Sequence, residues 1–233
     1  MIKRELKSHL LRLAKQYPVV TVTGPRQSGK TTLVRDAFPK KAYQSLENPD
    51  IRNIAQTDPR RFLSRFPKGA VLDEVQRVPE LLSYIQTIVD EKKKSGLFIL
   101  TGSAQFTLLQ NLTQSLAGRT AIVKLLPFSL SEVSTIINKK VSSEKFLYQG
   151  FYPRIYDKKL NPTEALSFYV STYIERDVRI LLNVKDLTKF ENFLRLCAAR
   201  TGQILSLSSL GNDCGVNHNT VSAWLSILEA SYI

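Results

Sequence analysis

Val19-Val-Thr-Val-Thr-Gly-Pro-Arg-Gln-Ser-Gly-Lys-Thr-Thr32 is the stretch that decides how this chain folds. Its first five residues are apolar or β-branched, which is typical of a buried β-strand. A Gly-containing turn follows, and residues 32–38 then have the pattern of a helix. Strand, Gly-rich loop and helix in this order predict a loop that wraps a phosphate group at the N-terminus of the helix.

This loop contains the residue types that a bound phosphate requires. Gly24 and Gly29 let the backbone turn tightly and point its N–H groups inward. Lys30 would reach the β- and γ-phosphates of a nucleotide, and the Thr31 hydroxyl would bind Mg²⁺. A Gly-rich turn that arose by chance is the alternative, and the flanking strand and helix argue against it. The predicted nucleotide-binding residues are Gly24, Pro25, Arg26, Gln27, Ser28, Gly29, Lys30, Thr31 and Thr32.

Strand-like and helical runs alternate up to about residue 126, which predicts a parallel α/β sheet. After Pro127 the pattern is mostly helical, and one long helix is expected from Leu166 to Leu182. Further helices are predicted near residues 30–38, 48–65, 79–94 and 104–116. The predicted strands are Val19–Thr23, Ala42–Ser45, Ala70–Leu72, Leu97–Thr101 and Ala121–Leu125.

A second predicted strand ends in two carboxylates, in Gly69-Ala-Val-Leu-Asp-Glu74. At the C-terminal end of a strand in a parallel sheet, such side chains point into the ligand crevice. Asp73 would hold Mg²⁺ opposite Thr31, and Glu74 would orient and deprotonate an attacking water. A surface turn is the alternative, and the position on a strand after a phosphate loop favours the nucleotide site.

Two further positions have both a structural and a functional interpretation. The run Phe98-Ile-Leu-Thr-Gly-Ser103 ends in hydroxyls, so Thr101 would contact the γ-phosphate or position the water, while Ser103 would cap the next helix. Arg119 ends a predicted helix, where it would pair with the helix dipole or with a carboxylate. It would otherwise reach the γ-phosphate of a neighbouring subunit as an arginine finger. From these residues alone, the ion pair is the favoured interpretation.

The composition is that of a soluble globular protein, since 43% of the 233 residues are hydrophobic and 23% are charged. No apolar run approaches the roughly 18 residues that span a bilayer, and the N-terminus is too charged for a signal peptide. Cys197 and Cys214 lie in apolar helical patterns, and neither they nor the two histidines have metal-ligand spacing. Reduced core thiols, a cytoplasmic location and no membrane association are therefore expected.

The net charge of +13 suggests nucleic acid as a partner. Residues 1–128 contain 21 Lys and Arg against 10 Asp and Glu, whereas residues 129–233 contain 12 against 10. The basic excess thus lies in the nucleotide-binding half. The run Lys92–Lys94 falls at a predicted helix end, where cations complement the helix dipole, and is not a binding site on its own.

Together these motifs resemble those of the predicted AAA-type ATPases of bacteria and archaea. That family joins an ATPase core to a winged-helix segment and a C-terminal domain of unknown function. The matching motifs cover nearly the whole chain in the family's order, and they are specific jointly rather than singly. They are Gly24–Thr32, Leu72–Gln76, Leu100–Ser103, Ser115–Arg119, Leu126–Glu132, Gly150–Pro153 and Tyr173–Asp177.

The resemblance implies an AAA+ fold, a type of α/β P-loop NTPase, with the sensor strand between the two Walker strands. It implies that Thr101 or Ser103 is the sensor and that Arg119 is an arginine finger. It also implies a helical lid over the nucleotide, with Arg154 and Arg176 as candidate contacts. The domains expected are an ATPase core (1–127), the helical lid (128–186) and a helix-turn-helix or truncated winged helix (187–233).

The chain departs from the family at its end. Family members usually continue beyond the winged-helix segment, whereas this chain stops at Ser231-Tyr-Ile233, where the wing strands should begin. The departure indicates a truncated gene or a fragment from which the C-terminal domain of unknown function is missing. Any activity of that domain would then be absent.

Residues 207–225 fit a helix-turn-helix pattern in which Ser206 caps the first helix and Gly215 makes the turn. DNA binding is the functional interpretation, and a folding unit or protein-contact module is the structural one. Residues 187–233 contain three Lys and Arg and three Asp and Glu, and the second helix has no cation, which favours the structural interpretation. The inward positions are Leu210, Cys214, Val216, Val221 and Trp224.

The leading hypothesis is Mg²⁺-dependent binding and slow hydrolysis of ATP by a homo-oligomeric AAA-type ATPase. Lys30, Glu74 and a neighbouring subunit's Arg119 would assist the attack of water on the γ-phosphate. The alternatives are an ATP-responsive DNA-binding regulator and a nucleotide-binding scaffold that does not hydrolyse ATP. In either case the C-terminal helices would hold the DNA or the protein partner.

Overall fold

The computed structural model describes residues 2–103, 114–137, 142–174, 187–230 and 232, with residues 173 and 174 described by their backbone only. The chain divides into two compact units, residues 1–160 and 161–233. The three-part division expected from the sequence stays a prediction, and residues 128–160 belong to the same unit as the core. Within the described residues, no helix is long and apolar enough to cross a membrane.

Unit 1 is built on a five-stranded sheet in which every neighbouring pair of strands is parallel. Across the sheet the order is β2-β3-β4-β1-β5, so β4 lies between β1 and β3. This confirms the sensor strand expected between the two Walker strands. All five predicted strands are confirmed to within one residue at each end; they are β1 (Val19–Thr23), β2 (Ala42–Ser45), β3 (Ala70–Asp73), β4 (Phe98–Gly102) and β5 (Thr120–Lys124).

The helices of unit 1 begin with α1, which precedes the sheet, and α2, which starts at the phosphate loop. In the described residues they are α1 (Leu6–Ala14), α2 (Lys30–Ala37), α3 (Pro49–Thr57), α4 (Pro59–Ser64), α5 (Leu81–Lys92), α6 (Leu130–Ser134), α7 (Ser143–Gln149) and α8 (Pro153–Lys158). A 3₁₀ turn over Val75–Arg77 follows β3. The helix expected near 104–116 lies mostly outside the described residues.

The single helix expected over residues 48–65 is wrong, because α3 and α4 divide it. The Asp58 carboxylate accepts from the backbone N–H of Arg61 at 2.9 Å, which caps a new helix. Pro59 occupies the first position of that helix, where its missing N–H costs nothing. Inside a continuous helix the same proline would remove a hydrogen bond and clash with the preceding turn.

Both faces of the sheet are covered by helices, so its central strands β1, β3 and β4 are buried throughout. Val20 and Val22 belong to an apolar cluster that includes Leu33 of α2. Val19 points to the other face, in a second cluster with Ile85 of α5. Alternate residues of one strand thus anchor two helical layers, and this fixes the C-terminal end of β1 against the phosphate loop.

Unit 2 is helical in its described residues. It contains α9 (Pro162–Tyr169), a π-helical turn (Val170–Ile174), α10 (Leu187–Ala199), α11 (Leu207–Cys214) and α12 (His218–Ala230). The long helix expected from residue 166 starts earlier, because the Asn161 side chain accepts from the backbone N–H groups of Thr163 and Glu164. Its helical pattern becomes π-helical at Val170, and residues 175–182 lie outside the described part.

Helices α11 and α12 lie where the helix-turn-helix pattern predicts two helices and a turn. The Ser206 hydroxyl accepts from the Ser209 N–H at 3.3 Å, and Gly215 has φ +66° at the turn. Of the expected inward residues, only Val216 is half-buried rather than buried. The others pack inside unit 2, with the Trp224 ring 5.2 Å from those of Phe190 and Phe193 in α10.

The two cysteines of unit 2 are free thiols. Cys214 is buried on α11, whereas Cys197 on α10 is half-buried. Burial raises the pKa of both thiols above the usual value, which disfavours the reactive thiolate. Packing is therefore the role that the structure supports for them.

Candidate nucleotide-binding site

The backbone of loop 24–29 has conformations that require its glycines. Gly24 has φ +145°, and a Cβ there would lie 2.0 Å from the carbonyl oxygen of Leu125, so only glycine fits. Gly29 has φ +90° immediately before α2, and Gln27 also has a positive φ of 60°. Such left-handed turns are the geometry of backbone concavities that bind anions.

Lys30 is held inside this loop. It is only 6% exposed, and its Nζ donates to the carbonyl oxygens of Gly24 at 2.9 Å and Pro25 at 2.7 Å. Burial lowers the pKa of Lys30 to about 8, although the nearby carboxylates of Glu74 and Asp73 act in the opposite direction. A phosphate oxygen would be a stronger acceptor for this ammonium than two neutral carbonyls.

Asp73 connects three elements through its carboxylate, which is 4% exposed at the end of β3. Its Oδ2 accepts from the Thr31 hydroxyl of α2 at 2.8 Å and from the Tyr43 hydroxyl of β2 at 2.6 Å. Its Oδ1 accepts from the Thr101 hydroxyl of β4. The structure therefore brings Thr31 and Asp73 together, as the sequence predicts, and adds Tyr43, which the sequence analysis missed.

Glu74 follows Asp73 with a positive φ of 59°, and its backbone N–H donates to the Thr101 hydroxyl at 3.2 Å. Its Oε2 accepts from the Ser103 hydroxyl at 3.1 Å and from the Gln76 side-chain amide. Gln76 was not predicted; its Oε1 is buried and has no hydrogen-bond partner in the described part of the chain. Thr101 and Ser103 thus touch the two carboxylates, and their contact with a γ-phosphate stays a prediction.

Arg119 is not near the phosphate loop of its own chain. It precedes β5, whose first residue pairs with the start of β1, whereas the loop follows the end of β1. The guanidinium makes two hydrogen bonds to Asp90, Nε to Oδ1 at 2.7 Å and Nη2 to Oδ2 at 2.8 Å. Within one chain, the ion pair is the interpretation that the structure supports.

Arg4, another residue that the sequence analysis missed, ties the phosphate loop to the segment that follows β5. Its Nη1 donates to the backbone oxygen of Ser28 at 2.7 Å, and its Nε donates to the Glu132 carboxylate at 3.1 Å. Glu132 is only 5% exposed and also accepts the backbone N–H groups of Glu5 at 2.8 Å and Ser129 at 3.0 Å. This buried, fully bonded carboxylate positions Arg4 against the loop.

The remaining predicted site residues differ in exposure. Pro25 and Ser28 are buried, Arg26 and Gln27 are half-buried, and Thr32 is exposed on α2. Of the two candidate lid arginines, Arg154 is exposed on α8, and Arg176 lies outside the described residues.

The residues present fit a nucleotide phosphate accompanied by Mg²⁺. The Ser28 hydroxyl oxygen is buried and has no hydrogen-bond partner in the described ranges, so a donor or acceptor is available inside the loop. One carboxylate and one hydroxyl, from Asp73 and Thr31, are a donor set suited to Mg²⁺, which usually keeps several waters and takes further ligands from phosphates.

The sheet order, the phosphate loop and the carboxylates at the end of β3 define a P-loop NTPase of the AAA type. The chain belongs to the AAA domain family, whose model matches residues 16–134. Residues 140–233 match a model for a domain of unknown function, DUF8612. The expectation that a domain of unknown function is missing is therefore corrected, because one is present over these residues.

Two curated relatives match nearly the whole chain. They are the uncharacterized proteins Rv2008c of Mycobacterium tuberculosis and Mb2031c of Mycobacterium bovis, each 29% identical over 237 residues. The match covers 99% of this chain and 52% of each relative, so the chain spans about half the length of these relatives.

Among solved structures, the Walker-type ATPase PABY2304 of Pyrococcus abyssi has a similar fold. The TM-score is 0.66 at 16% sequence identity, and the match covers 99% of this chain and 90% of that one. At this identity the likeness concerns the fold. Family and fold together indicate a nucleotide-binding protein of the ATPase class.

Proposed function

We propose that this chain binds ATP with Mg²⁺ at the phosphate loop and slowly hydrolyses the β–γ phosphoanhydride bond as a homo-oligomer. The observation that carries the proposal is the 2.8 Å hydrogen bond between the Thr31 hydroxyl and the Asp73 carboxylate, beside the buried ammonium of Lys30. Side chains suited to a metal and to a phosphate thus meet from α2 and β3 at one end of the sheet, which supports the proposal.

Nucleotide binding requires Lys30 to exchange partners. Its ammonium would leave the carbonyls of Gly24 and Pro25 and pair with the β- and γ-phosphate oxygens. Asp73 and Thr31 would hold Mg²⁺, which when bound neutralises charge on the phosphates.

Glu74 is the proposed general base. Ser103 and Gln76 both donate to its Oε2, and Oε1 has no hydrogen bond among the described residues. Fixing one oxygen orients the other, so Oε1 is the atom that would accept the proton of the attacking water. Thr101 supports this arrangement because its single hydroxyl contacts both Asp73 and the Glu74 backbone.

Arg119 would act on the nucleotide of a neighbouring copy. It lies at the N-terminal end of the sheet, and the five-residue strand β1 separates it from the loop by about 15 Å. Its ion pair with Asp90 is largely exposed, with 34% and 48% of the two side chains accessible. Solvent screens an exposed pair of this kind, so it contributes little, and a γ-phosphate could displace Asp90.

The first test is ATP turnover by the purified chain as a function of its concentration, with Lys30→Ala as the blank. Glu74→Gln should keep nucleotide binding and lose turnover. Normal turnover by Glu74→Gln would exclude Glu74 as the base, and tight binding without turnover at any concentration would leave a non-hydrolysing scaffold.

Mixing two inactive variants tests action between subunits. Lys30→Ala lacks a working phosphate loop but retains Arg119, and Arg119→Ala has the reverse defect. A mixture that recovers turnover would support an arginine supplied by the neighbour, because a contact in which the loop of Arg119→Ala faces the arginine of Lys30→Ala has both parts intact. Asp90→Asn is the control, since it breaks the ion pair while keeping the arginine. No recovery in the mixture, with Asp90→Asn active, would contradict the role of Arg119.

A further inference from the structure

A cavity of about 590 Å³ lies at the end of the sheet opposite to the phosphate loop. Two segments line it, residues 37–42, which lead into β2, and residues 65–69, which lead into β3. Because β2 and β3 are parallel, both segments reach the sheet at its N-terminal edge. The cavity is therefore separate from the candidate nucleotide site, which uses the C-terminal edge.

The cavity is strongly basic. Lys40, Lys41, Arg65 and Lys68 line it, and its lining contains no carboxylate. In the part of the chain that the structure describes, none of the four makes an ion pair. Two pairs of cations that are distant in the sequence thus converge without neutralisation, which makes the cavity attractive to an anion.

Two of the surrounding lysines are fixed by backbone oxygens. Lys41 is half-buried and donates to the carbonyl of Leu97 at 3.1 Å, and burial lowers its pKa. Lys92 donates to the carbonyl of Pro67 at 2.8 Å, although Pro67 lies 25 positions away in the sequence. This contact brings the basic run at the end of α5 to the rim of the cavity. The run Lys92–Lys94 is not a binding site on its own, but this contact makes it part of a larger cationic surface.

Aromatic rings complete the lining. Phe38 and Phe66 are both partly exposed and line the cavity together with Pro39 and Pro67. Cations around a groove with accessible aromatic rings are the combination that binds single-stranded nucleic acid, because phosphates pair with the cations and bases stack on the rings. The volume of the cavity also lies within the roughly 300–1,000 Å³ that is typical of pockets for small molecules. The cavity would thus take one nucleotide unit of a strand.

We propose that this cavity, lined by residues 37–42 and 65–69, binds single-stranded nucleic acid. A concave site suits an unpaired nucleotide better than the flat surface of a bilayer. An acidic peptide would find the cations, but it would place no base on the exposed parts of Phe38 and Phe66, whose other surfaces pack against the core. The proposal does not depend on ATP hydrolysis, and it assigns the nucleic acid to unit 1 rather than to the nearly uncharged helices α11 and α12.

The test compares two charge-matched triple variants of the full chain. Lys40→Gln/Arg65→Gln/Lys68→Gln removes three exposed cations from the cavity, and leaves Lys41 in place to preserve its structural hydrogen bonds. The control removes three exposed lysines of the same unit, as Lys145→Gln/Lys158→Gln/Lys159→Gln. Binding of a fluorescent single strand of about 15 thymidines is measured by anisotropy from about 0.05 to 0.2 M salt.

The loss of three phosphate contacts should lower the slope of log affinity against log salt by about 2 in the cavity variant. This corresponds to about a hundredfold weaker binding at 0.1 M salt, if the two proteins bind alike at 1 M. The control should retain the wild-type slope, and saturating ATP should not displace the strand. Equal losses in both triple variants would overturn the proposal, as would tighter binding to heparin or anionic vesicles than to the single strand.

Discussion

The proton on Lys30 should control how tightly the chain binds a nucleotide above neutral pH. Burial places the pKa of this lysine at about 8 instead of its ordinary 10.5, so at pH 9 most of the free protein has a neutral Lys30. The proposed complex needs the ammonium to pair with phosphate oxygens, which favours the charged form. Nucleotide binding should therefore take up a proton, and its affinity should fall as the pH rises.

The size of the effect follows from the two pKa values. If the phosphates restore the pKa of Lys30 to at least 10.5, the fraction of free protein ready to bind falls from about nine-tenths at pH 7 to about one-tenth at pH 9. The dissociation constant should then rise about tenfold over this interval. Proton uptake should be about half a proton per nucleotide at pH 8. Phosphate esters lose their last proton near pH 6, so the ligand contributes little to this range.

Calorimetry measures both quantities directly. Titrations of the chain with ADP, in two buffers that differ in ionisation enthalpy, give the affinity and the number of protons taken up at each pH. The control is Lys41→Met, which removes another lysine with a lowered pKa from outside the site and should leave the pH dependence intact. An affinity that is constant from pH 7 to 9, with no proton uptake, would refute the assignment of Lys30 to the phosphates.

The same lysine should make the stability of the fold depend on pH. The direction of this dependence is opposite to that of a lysine whose pKa is raised by an ion pair. The folded pKa lies below the unfolded value, so the unfolded chain binds more protons between pH 8 and 10.5, and stability rises with pH there. A charged Lys30 costs the fold about 3 kcal/mol at pH 7, and this cost disappears as the pH rises through that window. Lys30→Met should therefore gain stability at pH 7 and lose this advantage above pH 10.5, as measured by denaturant unfolding.

Three further substitutions test the supports of the site by thermal or denaturant unfolding. Gly24→Ala should cost about 2–5 kcal/mol, because its Cβ meets the Leu125 carbonyl at a φ of +145°, whereas Gly118→Ala, with φ +73° and nothing within 4 Å, should cost about 1–2 kcal/mol; equal costs would contradict the clash. Arg4→Ala should cost about 3–5 kcal/mol by leaving Glu132 buried without its cation, and adding Glu132→Gln should recover part of the loss. Tyr43→Phe should cost about 1–2 kcal/mol and weaken the dependence of nucleotide affinity on Mg²⁺, and an unchanged Mg²⁺ titration would exclude a positioning role for the tyrosine.

The parts of the fold that local pattern controls could be predicted from the sequence. Four of the five strands are short runs that contain β-branched residues, and alternation with helices predicts that the strands are parallel. The division of residues 48–65 into two helices was also readable, because Asp58-Pro59 combines a helix cap with a residue that starts a helix. The prediction of one helix was wrong because it relied on hydrophobic periodicity and ignored the Asp58-Pro59 signal.

Residues of the candidate nucleotide-binding site could be predicted only where they belong to a recognisable sequence motif. Short sequence motifs contain Lys30, Thr31 and Asp73, and a few neighbouring residues are enough to predict their roles. Arg4 and its partner Glu132 are separated by 128 positions, and no local pattern connects them. Tyr43 reaches Asp73 only because β2 pairs with β3, a fact that requires the strand order. Arg4 and Tyr43 were therefore missed because their contacts depend on tertiary neighbours that no motif identifies.

The strand order places part of the basic excess of the chain far from the phosphate loop. The basic excess lies in the nucleotide-binding half, yet the phosphate loop accounts for little of it, since its only cations are Arg26 and Lys30, and Lys30 lies near Asp73 and Glu74. A nucleotide site supplied with Mg²⁺ needs no large positive field, because the metal neutralises the phosphates. Four cations that make no ion pair among the described residues lie instead at the other end of the same sheet, around the cavity of residues 37–42 and 65–69. Removing the exposed cations of this cavity should therefore weaken the proposed nucleic-acid binding while leaving the affinity for ATP unaltered.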